Sequence, residues 1–414
     1  MKLSLFGRTA LATVVSLALG LGITACGSGT IGYMYVLGAQ GASNTAGNAI
    51  TSYKIDDRTG NLTAIVGSPF SSGGVNPVNA IVLLGGRFLF VLNAGNSTTP
   101  GNVSEFSIGG DGILTFQENF YSQGTNPLWI GQDSTGQYLY ILDQNGPAPY
   151  NNAGEITVYF VNGTTGRVTL VVNQQVKTSA GTQLPFFPVG VNPIMMKLGS
   201  GCIYVLEHGS GALGQNVYPL QVGTAGQLVV TTNGQYSLST LNATSITGDS
   251  GGRYIYITDA GTTSAPNNNV IYPYTQNTGC SLSPLVGGAV TQTSLSSNPV
   301  WTLTSNNGKF LYVLNQGNLA NPLLTASNIT AYTLDPSTGQ LTLITDSPYS
   351  SGSGPVCMVE DPTNQYLFVS NHYDSTVDGY IINLNTGQLS PLTHKTSFPV
   401  TGLSTCLVIS QYTS

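Results

Sequence analysis

Tyr312-Val313-Leu314-Asn315 is the clearest copy of a short strand pattern that recurs through the whole chain. The pattern is an aromatic residue, a β-branched residue, one further residue and a polar residue that ends the strand. Five more copies and a degenerate first copy share it: residues 90–93, 140–143, 204–207, 256–259, 368–371 and 35–38. The aromatic positions recur about every 55 residues. A fixed period of this length is typical of repeat architectures.

Each repeat carries further strand signals in the same order. An alternating strand such as Ile329-Thr330-Ala331-Tyr332 follows the anchor, and a Thr-Gly-x-Leu turn such as residues 338–341 follows that strand. An Asn-Pro pair then introduces an inner strand, as at residues 298–299. Four short antiparallel strands, repeated seven times without a helical period, predict an all-β fold, a seven-bladed β-propeller. The first repeat lacks an inner strand, and we predict that residues 403–410 supply it and close the ring.

The composition excludes several classes of protein. Charged residues make up only 7% of the 414 residues, and the formal net charge is -6. So few cations cannot form the basic surface that nucleic-acid binding requires. A hydrophobic content of 41% argues against a disordered chain.

The N-terminus predicts export. A short basic start precedes an apolar run at residues 9–22, which is too short to span a membrane and suits an export signal. The following Ile23-Thr24-Ala25-Cys26 resembles the lipobox of bacterial lipoproteins. The resemblance implies a signal peptide at residues 1–25, lipidation of Cys26, an anchor and linker at 26–32 and a propeller domain at 33–414. The location would then be the periplasmic face or the outer surface of the outer membrane. The alternative is a plain secretory signal.

The anchors, the Thr-Gly-x-Leu turns and the Asn-Pro pairs together resemble the lactonase family of seven-bladed propellers. That family includes 6-phosphogluconolactonase-type enzymes. The resemblance extends over residues 33–410. It is more specific for fold than for activity, because the repeated residues are those that build blades.

The residues that end the anchor strands are candidates for a site on one face of the ring, here called the upper face. They are Asn93, Asp143, Glu207, Asp259, Asn315 and Asn371. One interpretation is a polar ring at the channel mouth, and the other is that these side chains bond nearby loop amides. His208 and His372 each follow one of these residues. A Glu207 and His208 acid–base pair near Asp143 and Asp259 is the best enzymatic hypothesis, in which it activates water against a lactone carbonyl.

Alternation along the inner strands predicts which side chains face the central channel. The set includes Asn79, Trp129 and Trp301, and the two tryptophans form either an aromatic platform for a ligand or a packed filling of the channel. Cys357 and Cys406 occupy equivalent positions on neighbouring inner strands, while Cys202 and Cys280 belong to the opposite, lower face of adjacent blades. We predict these two disulfide pairs.

The predicted ligand is neutral. Arg58, Arg87, Arg167 and Arg253 all fall in turns of the lower face. Phosphorylated lactones require fixed cations, so a neutral lactone or glycan fits the upper face better.

Three scattered histidines give no metal-binding pattern, and we predict neither a metal nor a cofactor. Three hypotheses remain: a lactone hydrolase, a non-catalytic module that binds a glycan or an envelope protein, and a structural component of the cell surface.

Overall fold

The computed structural model describes residues 29–41, 47–151, 153–174, 176–177, 180–209, 215–231, 234–240, 242–261, 269–318 and 326–411. The predicted signal peptide and the lipidation site Cys26 lie outside the described residues. The first strand begins at Thr30, within the segment predicted as linker.

In the described residues, thirty-four strands form seven sheets, here called blades 1 to 7. Blade 1 contains β1 (Thr30–Ala39), β2 (Ala49–Asp56), β3 (Leu62–Ala64) and β4 (Phe70–Ser71). Blade 2 contains β5 (Pro77–Val82), β6 (Phe88–Asn93), β7 (Asn102–Ile108) and β8 (Leu114–Phe120). Blade 3 contains β9 (Thr125–Gln132), β10 (Tyr138–Asn145), β11 (Glu155–Val161), β12 (Val168–Leu170) and β13 (Phe187–Pro188).

The remaining blades repeat this plan. Blade 4 contains β14 (Pro193–Gly199), β15 (Cys202–Glu207), β16 (Asn216–Val222), β17 (Leu228–Val230) and β18 (Tyr236–Ser237). Blade 5 contains β19 (Ala243–Gly248), β20 (Tyr254–Asp259), β21 (Val270–Gln276), β22 (Leu282–Pro284) and β23 (Val290–Thr291). Blade 6 contains β24 (Pro299–Thr304), β25 (Phe310–Asn315), β26 (Asn328–Leu334), β27 (Leu341–Leu343) and β28 (Tyr349–Ser350). Blade 7 contains β29 (Pro355–Glu360), β30 (Tyr366–Asn371), β31 (Thr376–Ile382), β32 (Leu389–Pro391) and β33 (Ser397–Pro399), and the chain ends with β34 (Leu403–Gln411).

Each blade has an inner, a second, a third and an outer strand, all antiparallel to their neighbours. In six of the seven blades the outer strand is split, and a separate two- or three-residue strand pairs with the start of the third strand. Two 3-10 turns, Thr224–Gly226 and Thr278–Cys280, connect the third and outer strands of blades 4 and 5. The seven-bladed all-β architecture predicted from the repeats is confirmed.

The closing strand joins the two ends of the described chain. β34 pairs with β1 in antiparallel register, with Gly32 opposite Gln411 and Val36 opposite Leu407. β34 therefore serves as the inner strand of blade 1, which confirms the predicted closure and removes an open sheet edge.

The asparagine of each Asn-Pro pair turns the chain into an inner strand. Asn76, Asn126, Asn192 and Asn298 all have left-handed backbone conformations, with φ between 53 and 56°. Asparagine tolerates this region better than other residues with a side chain, and the following proline is the first or an early residue of the strand.

An aromatic residue two positions before six of the seven anchors packs against the next blade. Its ring covers the glycine in the turn between the third and outer strands, where an added Cβ would collide with it. The pairs are Tyr33 with Gly112, Phe88 with Gly166, Tyr138 with Gly226, Tyr254 with Gly339, Phe310 with Gly387 and Tyr366 with Gly60. Anchor tyrosines add hydrogen bonds to the same turns, as from Tyr256 Oη to Gly339 O (2.8 Å). These contacts explain why both the aromatic residue and the glycine recur.

Candidate functional site

Most of the polar residues that end the second strands hold the connections arriving from the preceding blade. All six are fully buried, at 0% exposure. Five of them bond a residue of the incoming connection: Asn93 with Ser72, Asp143 with Ser122, Glu207 with Gly190, Asp259 with Asn242 and Asn315 with Gln292. The contacts therefore favour the loop-bonding interpretation over an open polar ring.

Glu207 is fixed inside blade 4. Its Oε1 accepts a hydrogen bond from the Gly190 amide (2.7 Å), and its Oε2 accepts one from Gln235 Nε2 (2.6 Å). Burial raises the pKa of Glu207 to about 7, although these two hydrogen bonds act in the opposite direction. Among the described residues, no hydrogen bond joins Glu207 to His208 or to Asp143.

Asp143 belongs to a buried pair of carboxyl groups. It lies opposite Glu155 in the register of β10 and β11, and the two side chains are hydrogen-bonded to each other. Ser122 Oγ donates to Asp143 Oδ1 (2.8 Å), and Thr157 Oγ1 donates to Glu155 Oε1 (2.9 Å). Burial raises the pKa of both groups, and the charge of Asp143 raises the pKa of Glu155 further, so the pair holds a proton to higher pH than separate carboxyl groups would.

Asp259 caps a turn at the top of blade 5. Its Oδ1 accepts hydrogen bonds from the amides of Asn242 and Gly261, each at 2.8 Å. This geometry is that of a side chain that terminates a strand and holds the loop beyond it.

His208 and His372 occupy equivalent positions, each directly after a second strand. His208 Nε2 lies 2.6 Å from the carbonyl oxygen of Ala243, at the start of the inner strand of blade 5. His372 Nδ1 lies 2.8 Å from the carbonyl oxygen of Ser404, in the inner strand of blade 1. A carbonyl oxygen only accepts, so each of these ring nitrogens carries a proton. The nitrogen of each ring that does not face a carbonyl is His208 Nδ1 and His372 Nε2.

Gln316 makes the same kind of contact in blade 6. Its Nε2 donates to the carbonyl oxygen of Pro355, at the start of the inner strand of blade 7 (3.1 Å). His208, Gln316 and His372 therefore link blade 4 to blade 5, blade 6 to blade 7 and blade 7 to blade 1 around the upper opening of the channel. We call this opening, with these three residues on its rim, the upper mouth.

Tyr373 extends the rim beside His372. The side chain is 59% exposed, and its ring meets the imidazole of His372 edge-on, with centroids 5.2 Å apart. The ring packs on Gly354, which directly precedes the inner strand of blade 7 and has a φ of 62°. Sequence reasoning missed this residue. The available signal was an aromatic residue in the tripeptide Asn371-His372-Tyr373.

Trp129 and Trp301 contact each other inside the channel. Their ring centroids are 5.3 Å apart, and the rings are tilted by 32°. Trp129 pairs with Leu142 and Trp301 with Leu314, the residues that directly precede Asp143 and Asn315 in the second strands. The two indoles therefore meet across the channel near its upper end. Asn79 lies at the same level on β5, opposite Leu92, and is 6% exposed.

The cysteines form the two pairs expected from their positions. Cys202 is bonded to Cys280, with Cα atoms 5.7 Å apart, and Cys357 is bonded to Cys406, with Cα atoms 5.1 Å apart. Cys202 stands where other blades carry the aromatic residue, and Cys280 lies in the turn that this residue covers. This disulfide therefore replaces an aromatic contact between blades 4 and 5.

The four described arginines lie in lower-face turns. Arg87 and Arg253 fall between inner and second strands, and Arg58 and Arg167 fall between third and outer strands. Arg253 Nε lies 3.7 Å from Asp249 Oδ2 and its side chain is 53% exposed. None of these guanidinium groups is placed to bind an anion at the upper mouth.

The described residues contain neither a metal-ligand cluster nor a membrane-spanning helix. No cluster of three or more histidine, cysteine, aspartate or glutamate side chains in the described part of the chain could hold a metal ion. Within the same residues, no helix has the length and apolar character needed to cross a membrane.

Comparison with known proteins supports the family resemblance. Residues 291–407 match a family model described as "Lactonase, 7-bladed beta-propeller". This match covers blades 6 and 7 and part of the closing strand. No curated protein matches the chain in sequence.

Solved structures share the fold at low identity. A protein from Lactobacillus plantarum is 18% identical, with a TM-score of 0.67, and the match covers 92% of this chain and 99% of that one. A putative 6-phosphogluconolactonase from Bacteroides uniformis is 14% identical, with a TM-score of 0.68 and coverage of 91% and 98%. The periplasmic gluconolactonase of Pseudomonas aeruginosa is 16% identical, with a TM-score of 0.66 and coverage of 92% and 99%. The chain is therefore a seven-bladed β-propeller that resembles lactonase-family proteins, including 6-phosphogluconolactonases, as its repeats predicted.

Proposed function

We propose that the upper mouth binds a small neutral lactone and that His208 promotes its hydrolysis. The observation that carries the proposal is the pair of histidines on the rim, each oriented by a hydrogen bond to a backbone carbonyl of the next blade. A neutral imidazole with a defined lone pair is suited to general base catalysis near neutral pH. The resemblance to proteins described as gluconolactonases supports a lactone as the ligand class.

The reaction needs one water molecule and one lactone. His208 Nδ1 takes a proton from water while the water oxygen attacks the lactone carbonyl. The bond from the carbonyl carbon to the ring oxygen then breaks, and the imidazolium returns its proton to that oxygen to give the hydroxy acid. The carbonyl of Ala243, instead of Glu207, orients the imidazole in this scheme.

The rim also suits a sugar-like ring. The exposed face of Tyr373 offers an apolar surface for carbon-bound hydrogens, and Gln316 and His372 offer polar groups for hydroxyls. A phosphate would lack a cationic partner among the described arginines, all of which lie on the lower face.

The first prediction concerns hydrolysis of glucono-1,5-lactone, measured above the uncatalysed background. We expect His208→Ala to lower kcat by about 100-fold, in the usual range for loss of a general base. His372→Ala should mainly raise KM, because its proposed role is in binding. His394→Ala is the matched control, since this exposed histidine lies on the outer edge of blade 7 and should leave both constants unchanged.

Equal rates for the protein and the His208→Ala variant would refute the catalytic scheme.

A second function, binding of a glycan or an envelope protein without turnover, is favoured by one observation. The carboxyl groups of Glu207 and Asp143 are already engaged in buried networks. Saturable lactone binding with no turnover above background would support that alternative.

We also propose export and anchoring through Cys26, supported by the lipobox-like sequence and by four cysteines paired in disulfides. The second prediction is that mass spectrometry of the purified protein finds a diacylglyceryl group on Cys26. The Cys26→Ala variant should move from the membrane fraction to the soluble fraction. An unmodified Cys26 in a membrane-bound protein would contradict the proposal.

A further inference from the structure

One lysine lies in the lower part of the channel. Lys197 is on β14, the inner strand of blade 4, two residues after Met195 and two before the strand ends at Gly199. Met195 occupies the position that Trp129 and Trp301 occupy in their own blades, so alternation places Lys197 on the same side of its strand and nearer the lower face. Lys197 is the single cation of the seven described inner strands.

The amine of Lys197 has no partner in the described part of the chain. Its Nζ forms no hydrogen bond or ion pair with a described residue, and the side chain is only partly buried, so the atom is not sealed from solvent. Asp249, in the turn between β19 and β20, is the charged group that acts on it. The Asp249 carboxylate is already engaged. Its Oδ1 accepts from the amides of Arg253 (2.6 Å) and Tyr254 (2.7 Å), and its Oδ2 lies 3.7 Å from Arg253 Nε.

The neighbouring inner strand makes room for the lysine. A Cβ added to Gly248 on β19 would lie 3.4 Å from Lys197 Cε, so the lysine stem runs along the backbone at this point. The other six inner strands carry a side chain at the position equivalent to Gly248: Val82, Gln132, Leu198, Thr304, Glu360 and Ile409. The adjacent strands β9 and β19 contain no charged residue. Burial in these surroundings lowers the pKa of Lys197, against an opposing effect of Asp249.

We propose that Lys197 is a reactive amine that condenses with a small aldehyde entering the channel from its lower end. As the neutral amine, Nζ attacks the carbonyl carbon of the aldehyde. The carbonyl oxygen leaves as water with both amine hydrogens, and a C=N bond then joins Lys197 to the ligand. An aldehyde suits this site because it is uncharged and condenses with an amine without a further reactant. The proposal is independent of any activity at the upper mouth.

The third prediction uses propionaldehyde as the probe and sodium cyanoborohydride as the trap, at pH 6.5. The trap reduces the imine to a stable N-propyl amine, and peptide mass spectrometry measures the labelling rate of Lys197 and of the exposed Lys54 and Lys309. We expect Lys197 to be labelled at least about tenfold faster, because each unit by which burial lowers its pKa raises the neutral fraction tenfold. In the urea-unfolded protein the three rates should be about equal.

Two variants separate the channel environment from general reactivity. Asp249→Asn removes the nearby negative charge and keeps an oxygen for the turn amides, so Lys197 should be labelled about two- to threefold faster while Lys54 and Lys309 keep their rates. Lys197→Arg should remove the fast-labelled site and leave the other two rates unchanged.

Labelling of Lys197 no faster than that of Lys309 in the folded protein would overturn the proposal. Equally fast labelling of Lys197 in the folded and the unfolded protein would do the same, because the channel would then contribute nothing. If Asp249→Asn failed to fold, this comparison of folded and unfolded protein would decide alone.

Discussion

At the scale of single residues, the main departure from expectation concerns Glu207 and His208. Their adjacency suggested a catalytic pair. Successive side chains of an extended chain point to opposite sides, so adjacency in sequence separates the two functional groups. Glu207 contacts its own blade and His208 contacts the next one. The strand-end position of both residues was predictable from the repeats, but their partners were not, because Gly190, Gln235 and Ala243 are distant in sequence.

The fourth prediction concerns Glu105, a buried residue on β7 that lies opposite Glu118. Burial and the charge of Glu118 raise its pKa to about 7, against an opposing effect of Arg167. Between pH 4.5 and about 7, the Glu105 carboxyl group is therefore protonated in the folded state and ionised in the unfolded state. Stability should fall by about 1.4 kcal/mol for each pH unit between about 5 and 7 on account of this group alone.

Glu105→Gln should remove that contribution. Urea unfolding of the protein and the variant at pH 5, 6, 7 and 8 measures the difference. The stability of the variant relative to the parent should rise with pH up to about 7 and then stay constant. An unchanged difference from pH 5 to 7 would show that Glu105 has an ordinary pKa in the folded protein.

At the scale of elements, the contact between an aromatic ring and a turn glycine explains two recurring sequence signals at once. The period, the strand types and the turns were readable from the sequence because each blade repeats them. The split outer strands were not, since segments of two residues carry too little pattern for a strand prediction. Between blades 4 and 5, the disulfide of Cys202 and Cys280 replaces this contact, so a covalent bond can also link neighbouring blades at this position.

The fifth prediction compares two glycines in equivalent turns. Gly339 has φ 73°, and an added Cβ would lie 2.5 Å from Cδ1 of the buried Tyr254 ring. Gly279 has φ 71° but no atom within 4 Å of such a Cβ. Gly279→Ala should therefore cost about 1–2 kcal/mol for its backbone conformation alone. Gly339→Ala should cost about 1–3 kcal/mol more, because the ring must also move.

Thermal and urea unfolding of both variants measures these costs. The ring of Tyr254 is held by its hydroxyl, which donates to the carbonyl oxygen of Ser337 (2.7 Å), and therefore cannot swing aside freely. Equal destabilisation by the two substitutions would mean that the aromatic contact contributes nothing beyond the turn itself.

At the scale of the whole molecule, ring closure was predictable and the channel interior was not. The missing inner strand of the first repeat and the extra strand at the end of the chain could be matched by pattern alone. The width of the channel depends on how seven blades tilt and pack, which no local pattern reports. Trp129 and Trp301 lie on blades 3 and 6, and the contact of their rings across the channel could not be predicted from the sequence.

The pairing of Gly32 with Gln411 has a consequence for orientation. It places both ends of the described chain at the lower edge of blade 1, because β1 runs from the lower face to the upper one. If Cys26 carries a lipid, only a few residues separate the bilayer from β1, a reach of about 14 Å when fully extended. A tether of this length would keep the lower edge of blade 1 nearer to the lipid headgroups than the histidine-bearing rim.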